Sequence, residues 1–488
     1  MIEVLAIDTP SLGDRSYLVT DGTAALVVDP QRDIDRILVA AADRGVAVTH
    51  VFETHIHNDY VSGGLALAGE TGAAYHVNGA DDVALRRTAI GDGDVIEAGP
   101  IRVRVVAAPG HTWTHLAYVV TDARTGDIVG VFTGGSLLHG STGRPDLLGA
   151  RHAPALAAAQ HSSVRRLASL LPGHTPVYPT HGFGSFCAAG PASGGPARAS
   201  TIAQEQRGNP VLTLDEGRYV ASVLAGLDVF PAYYARMGLA NTFGADAPAL
   251  LPPPRVLPGQ VPGRVAAGDW VVDLRGRRAF AAGHVPGSLS FPLGDAFATH
   301  LGWLLPDGAR LTLLASTPGQ VAAAQRELAR IGVDRIAGAA IGTLADWLGG
   351  EDPASCAVSD FRGLAAARRH AGVTVLDVRR PLEWAAGHID EALHIPLHEL
   401  PVRLGELPAL LGELPGRAPA PVWVHCEAGY RAGVAASFLA AAGRQVTIVD
   451  DDYGRAAAAG LPVTRDVLGQ AGPAGCAGSA ARPLRAAG

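Results

Sequence analysis

The sequence predicts an α/β protein of several layered domains, and three observations support this prediction. Short β-rich runs alternate with helical runs over about the first 180 residues, a proline-rich stretch interrupts the middle of the chain, and a motif recurs after that stretch. With 488 residues, of which 48% are apolar and 17% charged, the chain is long and apolar enough to bury about three cores. We therefore expect a globular protein.

The N-terminal region, residues 1–246, alternates in the way that a layered α/β domain does. Short runs rich in Val, Ile and Leu predict strands, and apolar residues spaced three and four apart predict helices. The predicted strands lie at 24–29, 46–54, 101–107, 116–120 and 128–133, and the predicted helices at 34–44, 200–207 and 214–226.

The second half of the chain contains an internal repeat behind a linker. Residues 247–262 include six prolines, too many for a helix or a central strand, and predict the linker. After it, Asp273 precedes His284 by 11 positions, and Asp377 precedes His388 by the same 11 positions, 104 residues later. The repeat predicts two homologous α/β domains. Their ranges are 263–350 and 358–466, and a tail at 467–488, poor in large apolar residues, is predicted to be disordered.

Charge and cysteine usage exclude several classes of protein. A formal net charge of -7 argues against a nucleic-acid partner, which would require clustered positive charge. The N-terminus has no basic leader followed by an apolar run, and no segment holds about 18 uninterrupted apolar residues, so we expect a cytoplasmic protein without a membrane partner. Four widely spaced cysteines do not form a disulfide framework, and for Cys187 we expect the role of a small buried apolar residue.

A reactive cysteine is predicted in the last domain. The strand-like run 422–425 leads into Cys426-Glu-Ala-Gly-Tyr-Arg431 and then into an apolar helix. A cysteine between a strand and a helix N-terminus faces backbone N–H groups and the positive end of the helix dipole, and both favour the thiolate. Arg431 adds a positive charge suited to an anionic substrate.

This loop, together with the Asp377-Val-Arg379 and Gly387-His388 motifs, resembles the rhodanese family of sulfurtransferases. The resemblance implies that Cys426 attacks a sulfane sulfur and becomes a persulfide held by the loop residues, which are Glu427, Ala428, Gly429, Tyr430 and Arg431. In the first repeat Ser316 stands where Cys426 stands in the second. We expect that first repeat to be catalytically inactive.

The N-terminal region carries a constellation of metal-ligand type. His55 and His57 are two residues apart at the end of a predicted strand, where the period of two points both side chains the same way. His111, Gly134-Gly135 and His181 each follow a further apolar run. Imidazoles delivered from separate strand ends onto one rim can surround a single ion.

The spacing resembles the metallo-β-lactamase superfamily, an αββα sandwich, and with rhodanese modules attached it resembles the persulfide dioxygenase branch. The resemblance implies that Arg144 helps to hold a thiol substrate, although pairing with Asp146 is an alternative. Two positions depart from the family pattern: Tyr60 replaces the last His of His-x-His-x-Asp-His, and Gly135 replaces an Asp ligand.

Three hypotheses for this site remain open. His55, His57 and His111 form a three-His site for one Fe²⁺ or Zn²⁺, or Asp59 supplies a substitute carboxylate, or the site holds no metal. His181 and Asp59 match second-metal ligands of the family, and a hydrogen-bonding role behind the ligands is the alternative for both.

The main hypothesis for function is a sulfur-metabolism enzyme. The resemblance implies that the metal domain oxidises a small-molecule thiol persulfide, and that the Cys426 persulfide transfers sulfur to or from sulfite or thiosulfate. The alternatives are a thioester hydrolase of the glyoxalase II kind, and a persulfide carrier with sulfurtransferase activity alone. A homodimer is expected from the resemblance only, and the sequence leaves the identity of the thiol open.

Overall fold

The computed structural model describes residues 1–189, 199–369, 373–411 and 421–465. It contains two six-stranded sheets in the N-terminal region and one mainly parallel sheet in each C-terminal repeat. The tail predicted to be disordered, 467–488, lies outside the described residues, as does residue 466. Within the described part of the chain, no helix is both long and apolar enough to cross a membrane.

The first sheet of the N-terminal region follows the chain order. Its strands are β1 (Glu3–Thr9), β2 (Asp14–Thr20), β3 (Ala24–Val28), β4 (Ala47–Phe52), β5 (Ala74–Asn78) and β6 (Thr88–Ile90). The pairs β1–β2 and β2–β3 are antiparallel, and the remaining pairs up to β6 are parallel. Two helices, α1 (Asp35–Ala42) and α2 (Gly64–Thr71), contribute Ile37, Ala41 and Leu67 to one apolar face of this sheet.

The second sheet runs in reverse order and carries its own helices. Its strands are β7 (Val95–Ala98), β8 (Ile101–Ala107), β9 (Leu116–Asp122), β10 (Ile128–Gly134), β11 (Pro176–Pro179) and β12 (Ser200–Thr201). The helices are α3 (Ala153–Ser169), α4 (Ile202–Gly208), α5 (Pro210–Thr213), α6 (Glu216–Ala225) and α7 (Tyr234–Phe243).

Alternating side chains place one apolar core between the two sheets. Tyr17 and Phe52 of the first sheet pack with Val103, Tyr118 and Phe132 of the second in one buried cluster. A separate cluster joins the other face of the second sheet to helices α3, α5 and α6. These layers confirm the predicted αββα sandwich.

The first repeat is a four-stranded parallel sheet with the strand order β14-β13-β15-β16. Its elements are α8 (Val261–Ala266), β13 (Trp270–Asp273), α9 (Arg277–Ala282), β14 (Leu289–Ser290), α10 (Phe297–Leu304), β15 (Leu311–Ala315), α11 (Pro318–Arg330), β16 (Ile336–Ile341) and α12 (Leu344–Leu348). The proline-rich stretch lies against its edge, because Val256 N donates to Ala339 O at 2.9 Å and Ala339 N donates to Pro254 O at 2.9 Å.

The second repeat has a five-stranded sheet with the order β17-β22-β21-β18-β20 and a two-stranded ribbon of β19 and β23. Its strands are β17 (Ala357–Ser359), β18 (Thr374–Asp377), β19 (His388–Ile389), β20 (Leu393–His394), β21 (Val422–His425), β22 (Val446–Val449) and β23 (Val463–Thr464). Its helices are α13 (Phe361–Ala367), α14 (Pro381–Ala386), α15 (Leu400–Arg403), α16 (Leu407–Leu410) and α17 (Tyr430–Ala441).

The repeated Asp-x-Arg motif makes the same contacts in both repeats. Arg275 Nη2 lies 2.6 Å from Asp273 and donates to the Gly283 carbonyl at 2.8 Å. Arg379 Nη2 lies 2.7 Å from Asp377 and donates to the Gly387 carbonyl at 2.7 Å. The motif therefore ties the end of a strand to the end of the following helix, which is a structural role.

The sandwich and the repeats share a buried interface. Val61, six residues after His55, donates its backbone N–H to Arg330 O of α11 at 2.7 Å. Arg330 Nη2 in turn pairs with Asp33 at 2.7 Å, and both side chains are almost fully buried. One apolar cluster contains residues from the sandwich and from both repeats, Met237 among them. The first repeat thus supports the loop that carries the predicted metal ligands.

Candidate functional site

The four predicted histidine ligands meet at one rim of the sandwich. His55 and His57 follow β4, His111 follows β8, and His181 follows β11, and all four side chains are buried. The ring centroid of His55 lies 4.1 Å from that of His57, 4.8 Å from that of His111 and 5.4 Å from that of His181. Their convergence follows from the topology, because these strands end on the same edge.

His57 is held through one of its two ring nitrogens. Its Nε2 lies 3.2 Å from Asp29, 3.3 Å from Glu53 and 2.9 Å from the hydroxyl of Tyr60. Burial disfavours the imidazolium, but the Asp29 and Glu53 carboxylates outweigh burial and raise the pKa of His57 to about 9. The Tyr60 ring stacks on the His57 ring at 4.3 Å. Tyr60 thus packs against His57 where the family has a further imidazole, and Nδ1 of His57 has no hydrogen-bond partner.

His111 occupies the space in which the family's Asp side chain would begin. A Cβ atom added to Gly135 would lie 2.3 Å from Cδ2 of His111, so a larger residue there requires the ring to move. Nδ1 of His111 lies 2.8 Å from the Arg144 carbonyl, which leaves Nε2 buried without a partner. The Gly135 N–H is itself engaged, donating to Nε2 of His115 at 3.0 Å. His115, which was not predicted to have a role, therefore packs behind the cluster.

His181 and Asp59 form a buried ionic group with Asp14. Nδ1 of His181 lies 2.9 Å from Asp14 and 3.1 Å from Asp59. Burial opposes the imidazolium, but the two carboxylates raise the pKa of His181. Burial likewise opposes ionisation of Asp59, and His181 lowers its pKa, while burial and the neighbouring Asp59 raise the pKa of Asp14. Nε2 of His181 faces Nε2 of His55 at 3.4 Å, so Asp59 contacts the ring nitrogen that is directed away from His55.

These donors fit a metal ion. The nitrogens of His55, His57 and His181 lie within 4.8 Å of one another, and the unpartnered Nδ1 of His57 and Nε2 of His111 are buried donors of the type that a metal requires. Asp59 belongs to a second group that could hold an ion, with Asp14 and His181, and its role as a substitute carboxylate stays a prediction. Among the predicted ligands, the structure groups His181 with His55 and His57. In the three-His hypothesis the third ligand was His111.

The histidine loop is held by a residue that the sequence did not indicate. Nδ2 of Asn241, on α7, donates to the carbonyls of His57 and Tyr60, both at 2.8 Å, and its Oδ1 accepts from Ser62 N at 2.8 Å. Asn241 lies 184 residues from His57, and no local pattern marks it. Asp29 is similar in role, accepting from Thr54 N at 2.7 Å, although its position at the end of a predicted strand was a usable signal.

Cys426 lies in a cradle of backbone amides between β21 and α17. Its sulfur accepts from Gly429 N at 3.2 Å and from Ala432 N at 3.4 Å. Gly429 has a φ of +87°, and a Cβ atom there would lie 2.3 Å from an oxygen of Asp450, so only glycine is accommodated at this position. The amides and the N-terminus of α17 stabilise negative charge on the sulfur.

The other predicted loop residues divide into three groups. Glu427 and Ala428 are exposed at the rim. Tyr430 points into the interface between the repeats, where its hydroxyl donates to Pro292 O at 3.3 Å. Arg431 makes a two-pronged ion pair with Glu383 of α14, at 2.6 and 2.7 Å.

The loop of the first repeat lacks the amide cradle. Ser316 N and Thr317 N both donate to the side-chain oxygen of Gln320, at 2.8 and 3.3 Å. The amides that would face an anion are therefore occupied by this cap, and the thiol is replaced by a hydroxyl.

Comparison with known proteins agrees with both parts of this description. Residues 362–457 match the family model of the rhodanese-like domain. A metallo-β-lactamase from Staphylococcus aureus subsp. aureus COL, a solved structure, is 27% identical with a TM-score of 0.62, and the alignment covers 70% of this chain and 99% of that chain. This chain fuses a metallo-β-lactamase fold to a rhodanese-like domain.

Curated relatives match the N-terminal part of the fusion. A hydroxyacylglutathione hydrolase of Acidiphilium cryptum is 37% identical over 117 residues, which are 23% of this chain and 48% of the relative. A probable polyketide biosynthesis zinc-dependent hydrolase, BaeB, of Bacillus velezensis is 29% identical over 184 residues, or 34% of this chain and 72% of the relative. The fusion spans about half the length of the first curated relatives that it matches.

Two cavities lie between the sandwich and the repeats of the fusion, and they share Phe186 and Arg380. The first, about 220 Å³, is also lined by Arg431 and by His300 and Trp303 of the first repeat. The second, about 480 Å³, is also lined by three residues of the sandwich and one of α14, which are Arg144, Gly182, Asp228 and Glu383. The first repeat thus forms part of the wall beside the Cys426 loop.

Arg144 is buried and fully engaged. It pairs with Asp146 through two contacts of 2.7 Å and donates to the Asp228 carbonyl at 2.6 Å, while its own carbonyl lies 2.8 Å from His111 Nδ1. The structure therefore shows the alternative contact predicted for Arg144, which is the ion pair with Asp146.

A series of ion pairs continues from this point to the Cys426 loop. Arg380 Nε lies 3.5 Å from Asp228 and 3.1 Å from Glu383, and Glu383 pairs with Arg431. A hydrogen bond from Arg144 to the Asp228 carbonyl and these ion pairs therefore connect the residue behind His111 with the cation beside Cys426.

Proposed function

We propose that this protein is a sulfur-handling enzyme in which a metal-dependent N-terminal domain oxidises a low-molecular-weight persulfide and Cys426 transfers sulfane sulfur. The observation that carries the proposal is the pair of cavities that share Phe186 and Arg380. Gly182, which follows His181, lines one cavity, and Arg431, five residues after Cys426, lines the other. Because the two reactions would take place on opposite sides of one wall, the product of one would reach the other site at a high effective concentration.

Cys426 would act as a nucleophile. Its thiolate attacks the outer sulfur of a persulfide or of thiosulfate, the S–S bond breaks, and a thiolate or sulfite leaves with the bonding electrons. The persulfide anion formed on Cys426 is stabilised by the amides of Gly429 and Ala432. An acceptor such as sulfite then attacks the outer sulfur, forms thiosulfate and regenerates the Cys426 thiolate.

The histidine cluster would perform the first half of the sequence. Iron held there would supply the redox chemistry by which a persulfide, O2 and water give a thiol, sulfite and two protons. The chain provides buried imidazoles, which keep bulk water away from the ion, and oxygen partners on their outer nitrogens, which fix the rings.

A second candidate for the N-terminal domain is thioester hydrolysis. It is favoured by the relatives, which are named as hydroxyacylglutathione hydrolase and zinc-dependent hydrolase. In this case zinc would act as a Lewis acid, and water would convert a thioester into a carboxylate and a thiol. The Cys426 half of the proposal is unchanged.

The deciding experiment measures metals by plasma mass spectrometry on protein produced with iron and zinc both available. The control is His55→Ala/His111→Ala, and each preparation is also assayed for O2 uptake with a persulfide and for thiosulfate:cyanide sulfur transfer. About one iron per chain, lost in the control and accompanied by O2 uptake, is expected. Zinc with no O2 uptake would replace the dioxygenase with the hydrolase. No metal, with sulfur transfer intact, would leave a persulfide carrier.

A further inference from the structure

A cysteine thiol lies within the histidine cluster. The sulfur of Cys187 and ring nitrogens of His111 and His181 all lie within 4.8 Å of one another, and all three side chains are fully buried. Cys187 is six residues after His181 in the segment that turns back over the rim of the sandwich. The buried position predicted for Cys187 is confirmed, since it lies in an apolar cluster, and the structure adds two imidazole neighbours.

Each of the two imidazoles has its Nδ1 held by an oxygen, and Nε2 differs between them: that of His111 is unpartnered, and that of His181 faces only Nε2 of His55 at 3.4 Å. Nδ1 of His111 is held by the Arg144 carbonyl at 2.8 Å, and Nδ1 of His181 is held by Asp14 at 2.9 Å. An oxygen that accepts a hydrogen bond from Nδ1 selects the tautomer whose proton is on Nδ1. The lone pair is then on Nε2, where it can bind a metal. Nε2 of His111 has no hydrogen-bond partner although the residue is 0% exposed. This arrangement is typical of metal-binding histidines.

The backbone fixes the thiol relative to His111. Arg144 N donates to the Cys187 carbonyl at 2.7 Å, and the Arg144 carbonyl accepts a hydrogen bond from Nδ1 of His111. Cys187 N donates to Oγ of Ser185 at 3.1 Å, which closes the turn before it. The Cys187 sulfur makes a weak contact of 3.9 Å with the Tyr234 hydroxyl, and Asp59 also lies near it. The backbone contacts therefore fix the position of the thiol beside His111.

We propose that Cys187 is a metal ligand, and that with His111 and His181 it supplies the anionic donor that Gly135 does not. The fourth donor comes from the neighbouring group that shares His181: Nε2 of His55 faces that of His181 at 3.4 Å, and Nδ1 of His57 is unpartnered. One thiolate and three imidazoles suit Zn²⁺ or Fe²⁺. On binding, the Cys187 thiol releases its proton to the solvent, and the sulfur–metal bond takes its place.

The inference rests on the metal-dependent half of the proposed function. It assigns the donor set and is independent of whether the reaction is oxidation or hydrolysis.

The test is cobalt substitution of the full-length chain. A variant with Cys356→Ser, Cys426→Ser and Cys476→Ser keeps Cys187 as the sole thiol. We expect this variant to bind Co²⁺ with an intense thiolate-to-cobalt absorption in the near ultraviolet. Adding Cys187→Asp should remove that absorption while cobalt remains bound. Cobalt binding to the sole-thiol variant without the band would overturn the assignment.

Metal affinity gives a second readout that does not depend on activity. In an otherwise natural chain, Cys187→Ser should weaken Zn²⁺ binding at least about tenfold, and Cys187→Asp should retain more of it because it restores an anionic donor. Cys356→Ser removes a thiol that is not grouped with these histidines, and it should leave the affinity unchanged. Thermal unfolding of each metal-free variant checks that the fold survives.

The outcomes separate the two proposals. If the wild-type protein and Cys187→Ser bind metal with the same affinity, and no thiolate band appears, the ligand role is refuted. The metal-dependent function then still stands. Failure of the wild-type chain and of the sole-thiol variant to bind Zn²⁺ or Co²⁺ refutes both. Sulfur transfer at Cys426 in the wild-type chain reports separately on the other half of the function.

Discussion

Glu383 and Arg431 form a two-pronged ion pair in which Nη1 lies 2.6 Å from Oε2 and Nη2 lies 2.7 Å from Oε1. The carboxylate comes from α14 and the guanidinium from the first turn of α17, directly behind the Cys426 loop. Burial opposes ionisation of Glu383, but the bonds from Arg431 lower its pKa to about 2. The pair therefore orients the guanidinium that lies beside Cys426.

The coupling of this pair can be measured with a double-mutant cycle of Glu383→Gln and Arg431→Met. Each single change leaves a largely buried partner without its counter-ion, so each should reduce the free energy of unfolding by about 2–4 kcal/mol. The double variant should be less destabilised than the sum of the two, by at least about 1 kcal/mol. Urea denaturation of the four proteins gives the coupling energy, and simple additivity would contradict the contact.

Cys426→Ser should abolish thiosulfate:cyanide sulfur transfer, because a hydroxyl cannot form the persulfide. Its metal content should be unchanged, since the histidine cluster is separate. The matched control is Ser316→Cys in the Cys426→Ser background, which places a thiol in the loop whose amides are occupied by Gln320. That control should remain inactive, and recovery of activity there would show that the amide cradle is dispensable.

His111→Ala should lower the metal content of the purified protein by at least about tenfold, because it removes a buried donor nitrogen. It should also remove the rise in melting temperature that added metal is expected to give the wild-type protein. His174→Ala changes an exposed histidine on the same domain and should bind metal normally. Plasma mass spectrometry and thermal unfolding, with and without a chelator, measure both effects.

Asn241→Ala should weaken metal binding although Asn241 is not a ligand. The change leaves the carbonyls of His57 and Tyr60 without their donor, at a cost of about 1–3 kcal/mol. Asn241→Asp offers a matched control, because it keeps the acceptor for Ser62 N but not the donor. We expect a lower metal affinity in both variants and the larger loss in Asn241→Ala. An affinity equal to that of wild type in both would show that the loop is fixed by other contacts.

His425 should make the stability of the second repeat depend on pH. Burial lowers its pKa from an ordinary value near 6.5 to about 4. Between these two values the unfolded chain binds the proton and the folded chain does not, so stability is full above pH 6.5 and falls as the pH drops toward 4. The loss is about 1.4 kcal/mol per pH unit.

The variant His425→Phe keeps a ring against Tyr453 and Phe361 and removes the titrating group. Denaturation at pH 7, 6 and 5 should show a shallower decline in this variant than in the wild-type protein. Equal slopes in the two proteins would mean that His425 is protonated in the folded state.

Strand periodicity and the strand-to-helix loop were readable from sequence because they are local. The predicted strand 101–107 matches β8, and 128–133 matches all but the last residue of β10. By contrast, the 17-residue helix α3 was not predicted, because its Ala-rich sequence, with few large apolar residues, shows little periodic contrast.

The sequence by itself determined the architecture and the positions of the chemically active residues, since turn chemistry, apolar periodicity and the spacing of His and Cys act over a few residues. Only the tertiary structure decided which nitrogen of each histidine is free, that Tyr60 and Asp29 engage His57, and that Cys187 joins His111 and His181. It also decided that Arg144 is paired and that Phe186 and Arg380 lie in the wall between two cavities. These relationships depend on side-chain directions and on contacts between residues far apart in the chain, which no local pattern encodes.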